Sequence, residues 1–138
     1  MSKTALTSIL IALATLVLIG AIVAPPYLRA RSERRRSEAF AARVQPVLDA
    51  LIEAERGYKE REGKFWRDKS DTLSPQATKQ ALGVDLVVSP AYHFAVYPPD
   101  LAADPTLRVA AKGSGEAEGL MVECVYDAIQ HTKSCKRG

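Results

Sequence analysis

FAARVQPVLDALIEAERGYKEREG, residues 40–63, is the stretch on which the fold turns. Phe40, Val44, Val47, Leu51, Ala54 and Tyr58 follow one another at intervals of 4, 3, 4, 3 and 4, with Leu48 and Ile52 beside them. Side chains three and four apart share one face of a helix, so this spacing predicts one apolar stripe on one helix. Arg43, Asp49, Glu53, Arg56, Lys59 and Glu60 fall on the other faces as a solvated mixture. Pro46 interrupts the stripe and predicts a bend rather than a stop. Gly63 closes the pattern as a C-cap would. The core stripe is therefore Phe40, Val44, Val47, Leu51 and Tyr58, and it must be buried against a second layer.

The chain downstream supplies that layer. Residues 64–80, KFWRDKSDTLSPQATKQ, read as a loop with a short helical turn after Ser74-Pro75, and Phe65 and Trp66 fold back onto the core. Tyr92, Phe94 and Val96 then alternate with His93, Ala95 and Tyr97, until Pro98-Pro99 ends the run. Leu107, Val109 and Ala111 alternate with Arg108, Ala110 and Lys112, and a Gly113-Ser114-Gly115 turn follows. Leu120, Val122, Cys124 and Tyr126 share one face of a third strand, and a last short strand is predicted over about 129–133. Period-two runs of this length between turn residues predict antiparallel strands. The fold class is α+β: a long N-terminal helix packed by its amphipathic half on a small antiparallel sheet, as a roll.

Upstream, residues 5–24 read ALTSILIALATLVLIGAIVA, with no charge and only Thr7, Ser8 and Thr15 polar. Their hydroxyls can bond back to the helix backbone. Twenty residues at about 1.5 Å rise span a hydrocarbon core of about 30 Å. The run is longer than the apolar part of a signal peptide, and the first Ala-based cleavage option, after Ala24, is followed by Pro25 and Pro26. The expected organisation is an anchor over 1–27, an amphipathic helix over 28–63, and a loop plus sheet over 64–138.

Of the 138 residues, 47% are hydrophobic, many of them in this N-terminal run, and the net charge of +3 is concentrated too. Arg29, Arg31, Arg34, Arg35 and Arg36 stand against Glu33 alone within residues 29–36, five positive charges to one negative. A basic cluster just after an apolar helix suits lipid headgroup contact better than nucleic acid. By the positive-inside rule it also places the following domain in the cytoplasm. Cys124 and Cys135 argue the other way. No CxxC or ligand-spaced histidine accompanies them, so a disulfide, worth about 3 kcal/mol, is the preferred reading and requires an oxidising compartment. Two buried thiols in a cytoplasmic domain are the alternative.

No catalytic set is legible. His93 and His131 have no nucleophile motif around them, and Gly113-Ser114-Gly115 sits between strands rather than opening a helix. Asp100, Asp104, Glu116 and Glu118 read as exposed loop acids before a calcium site. The reading is a non-enzymatic protein that uses no cofactor and no metal.

The element order, Pro25-Pro26-Tyr27, Pro46, the exit from Tyr58 through Gly63-Lys64-Phe65, and the late pair Cys124 and Cys135 together resemble the type IV pilins and type II secretion pseudopilins. The resemblance runs over essentially the whole chain. It implies a single-pass inner-membrane protein with its domain periplasmic or extracellular. It also implies a structural role in a filament or secretion assembly, and protein partners met through the N-terminal helix, homologous pilin-like subunits among them. The chain departs from the family at its processing motif. Aligned on Pro25, Lys3 stands where the family has glycine and Ser8 where it has glutamate, and residues 1–24 hold no acid. A minor or assembly-associated component fits this better than a major pilin. A stand-alone membrane-tethered interaction domain, periplasmic or cytoplasmic with an arginine collar on lipid, is the other expectation.

Overall fold

The computed structural model describes residues 2–101 and 103–138. The chain divides into two compact units, Met1–Arg36 and Ser37–Gly138. Helix α1, Lys3–Glu62, supplies the first unit and the opening helix of the second. It continues through Pro25, Pro26 and Pro46. A proline in a helix removes one N–H and orphans the carbonyl four residues back. Ala42 and Pro46 are both exposed, so water can satisfy the carbonyl that Pro46 leaves without a donor. The helix ends where the sequence predicts. Gly63 takes φ +77°, a left-handed conformation that favours glycine, and its N–H donates to the Lys59 carbonyl at 2.8 Å.

Within the second unit, the short helix α2, Pro75–Leu82, is longer than the single turn expected there. Both of its ends are built from the local sequence. Ser74 is the N-cap with Pro75 at the first helical position, and Gly83 closes it at φ +72° with its N–H on the Lys79 carbonyl. Four strands follow, β1 Tyr92–Tyr97, β2 Thr106–Gly113, β3 Met121–Asp127 and β4 Thr132–Arg137. They form one antiparallel sheet in the order β1-β2-β3-β4. The α+β arrangement read from the sequence is the one observed: a long N-terminal helix against a four-stranded antiparallel sheet.

The core lies between α1 and one face of the sheet. Phe40, Val44 and Leu51 are buried there with Leu107, Val109 and Val122. Leu48 and Ile52 are equally part of it, while Val47 is half-buried at its margin. Phe65 is buried and Trp66 packs against the same cluster, as expected. Tyr58 is half-buried and lines an open cleft of about 520 Å³ with Phe65, Trp66 and Pro98.

Two turns differ from the sequence reading. After β2 the chain makes a 3-10 turn, Gly115–Ala117, that folds back over Gly113. A Cβ at Gly113 would lie 2.0 Å from the Ala117 carbonyl oxygen. Gly113→Ala should therefore destabilise the domain by about 1–3 kcal/mol, the range for overpacking, measured as a loss in urea midpoint with unchanged slope. The last strand is Thr132–Arg137 rather than 129–133. Asp127 Oδ1 accepts from the N–H groups of Ile129 and Gln130, and His131 takes φ +55°, so these residues are the hairpin turn.

Candidate functional site

In the unit Met1–Arg36, the side chains that matter are those left in the open. The apolar part of α1 has a mean hydropathy of 2.7 over its best 18 residues, and none of that window is buried. Leu10, Ile11, Leu16, Val17, Leu18 and Ile22 are all exposed. An apolar surface of this extent around a whole helix suits a bilayer, not water. The three hydroxyls are absorbed as the sequence suggests: Thr7, Ser8 and Thr15 donate to the carbonyls of Lys3, Thr4 and Ile11 at 2.8, 3.0 and 2.8 Å. This segment is a candidate single membrane span.

Arg29, Arg31, Arg34, Arg35 and Arg36 are all exposed on the same helix. At about 100° per residue, Arg29 and Arg36 lie on one side while Arg31, Arg34 and Arg35 lie on the other. They make a collar rather than a stripe.

In the unit Ser37–Gly138, Cys124 and Cys135 are bonded to one another. They sit directly opposite in the β3–β4 ladder, with Cα atoms 4.0 Å apart. Cys124 is fully buried on the helix-facing side of the sheet, in line with Val122, as its place in the alternation predicts. The Gln45 amide of α1 lies 3.6 and 3.5 Å from the two sulfurs, Cys124 Sγ and Cys135 Sγ.

The residue that sequence reasoning missed is Glu55. It is fully buried, one of two buried polar residues, with Thr78, among the described residues. Its Oε2 accepts the Trp66 N–H at 2.8 Å, tying the loop after Gly63 back to α1, while Oε1 has no partner among the described residues. Burial pushes its carboxyl up from 4.5 to about 8, against the opposing pull of the Trp66 hydrogen bond. A signal was present: the buried face runs Val44, Leu48, Leu51, Glu55, and following that row instead of Ala54 and Tyr58 leads to the acid.

The two histidines are spoken for separately. His93 Nε2 is 2.9 Å from Ser114 Oγ, and His131 Nδ1 is 3.3 Å from the Tyr126 hydroxyl. Asp100 pairs with Arg67 at 3.5 Å, and Asp104 Oδ1 accepts the Thr106 N–H at 2.9 Å. Among the described residues, no three His, Cys, Asp or Glu side chains come together as a metal site. The chain matches no protein-family model and no curated protein.

Proposed function

We propose that this chain is a pilin-like or pseudopilin-like structural subunit, anchored in the membrane by residues 5–24 and contributing to a filament or secretion assembly. The observation that carries the reading is the division of labour along α1. Its N-terminal part exposes every large apolar side chain, and its residues 40–55 bury theirs against the sheet. The bonded cysteine pair supports an exported domain, because such bonds persist in oxidising compartments. The arginine collar then contacts lipid headgroups. Homologous subunits would meet the apolar face, where the lipid-exposed helix packs without a hydrophobic penalty. Ser8, standing where the family has glutamate, favours a minor subunit. It is also the observation that favours a lone tethered domain as the second reading.

Two measurements test the proposal together. A reporter fused after Gly138 and active only outside the cytoplasm is expected to be active. Single cysteines at Leu10 and Val17, oxidised in native membranes, are expected to give crosslinks to other subunits. An active exported reporter with no crosslink would leave a lone tethered domain. A reporter active only in the cytoplasm would overturn the reading.

A further inference from the structure

We propose that the outer edge of β4 is a docking edge, onto which an extended acidic segment of a partner protein adds as a fifth strand. Opposite residues in an antiparallel ladder alternate between bonded pairs, about 5.5 Å apart at Cα, and non-bonded pairs, about 4.5 Å apart. Cys124 and Cys135, at 4.0 Å, belong to the narrow, non-bonded kind. The Gly138 N–H donates to the Met121 carbonyl at 2.9 Å, which sets the same alternation from the other end. Lys133, Cys135 and Arg137 therefore turn their N–H and C=O groups away from β3. All six residues of β4 are exposed, and among the described residues β4 pairs with β3 alone.

The opposite edge of the sheet is treated differently. There the chain covers itself: the Leu73 N–H bonds the Phe94 carbonyl at 2.8 Å, the Val96 N–H bonds the Asp71 carbonyl at 3.3 Å, and Thr72 bridges Ala95. An uncovered edge is ordinarily an aggregation liability. This one is held in shape by the disulfide, by Lys133 on Asp49 at 2.5 Å and by Lys136 near Glu123 at 3.9 Å. A preformed edge binds with less ordering loss.

Charge selects the occupant. Residues 132–137 contain Lys133, Lys136 and Arg137 and no acid. Lys133 and Lys136 face one acid each, Asp49 and Glu123, and Arg137 leaves the edge with an excess of positive charge over these contacts. A second copy paired about Cys135 would set Lys133 opposite Arg137, and like charges directly opposite are destabilising. A segment alternating acids with β-branched residues places opposite charges there instead. Its main-chain bonds supply affinity and its acids supply selectivity.

The test uses the full chain in detergent micelles with its disulfide intact, and two synthetic eight-residue peptides, one alternating Glu and Val, the other Lys and Val. The acidic peptide is expected to slow amide exchange at Lys133, Cys135 and Arg137 by about tenfold or more, and the basic one to leave it unchanged. Lys133→Pro and Arg137→Pro each remove an outward donor without removing a bond to β3, which edge strands tolerate. Each is expected to weaken the acidic peptide by about tenfold while the disulfide and melting transition persist; if one variant fails to fold, the other decides. Equal protection by both peptides, no protection, or unchanged affinity in the folded proline variants would overturn the proposal. So would protection that rises with protein concentration in the absence of peptide, which would make a second copy the occupant.

Discussion

Glu55→Gln should leave the domain about as stable as the parent at pH 4.5 and more stable by about 3 kcal/mol at pH 7. The folded carboxyl titrates at about 8 and the unfolded one near 4.5, because burial penalises the charged form. Between those values the folded chain holds a proton that the unfolded chain has lost. The stability that this proton supports is fully present below about pH 4.5 and is lost as pH rises to about 8, at about 1.4 kcal/mol per unit at most. Glutamine keeps an acceptor for the Trp66 N–H and carries no ionisation to suppress. Urea unfolding of both proteins in micelles at pH 5, 6, 7 and 8 measures the divergence. Parallel curves would mean that Glu55 does not titrate as its burial requires.

Leu51→Ala is the other large effect expected, a loss of about 2–5 kcal/mol. Leu51 has no exposed surface and sits between Leu48 and Glu55 on the buried face of α1, so truncation opens a cavity that this packed layer cannot close. Glu53, two residues on, is exposed and paired with Arg56 on the wet side of the same helix. Glu53→Ala should move stability by less than about 0.5 kcal/mol. Thermal and urea melts of the two variants side by side give the comparison. Similar losses from both would show that the helix is not docked on the sheet through this face.

Elements with one buried face were legible from the sequence for a physical reason. A strand or helix that must hide one side writes that side as a period, which is why Tyr92–Tyr97, Leu107–Lys112 and Leu120–Tyr126 could be read directly. β4 carries no such record. Its residues, TKSCKR, are all exposed and include no aliphatic side chain, whereas the neighbouring Ile129 is apolar but lies in the turn. Apolar character therefore drew the expected strand three residues too early. The cysteine pairing survived that shift, because the two strands are joined by a short turn and Cys135 returns directly opposite Cys124. Glu55 was hidden for the opposite reason: acids are almost never fully buried, so the charge on an apolar row argued against the row itself. In the N-terminal unit, the uncharged run and the arginine collar were explicit. Their consequence for sidedness was not, since the arginines and the cysteines point to different compartments.

The order of the strands along the sheet has a kinetic consequence. Among the described residues each strand pairs with its neighbours in sequence, so every strand pairing closes a short loop, and such hairpins form in about 1–10 μs. The long closure is the docking of residues 40–55 of α1 against a sheet that begins at Tyr92, and loop-closure entropy makes that the more demanding step. Cys124 and Cys135 lie on the final hairpin, eleven positions apart, so the two thiols can meet on that hairpin alone. Their oxidation then requires neither the docking of α1 nor the placement of the apolar N-terminal segment.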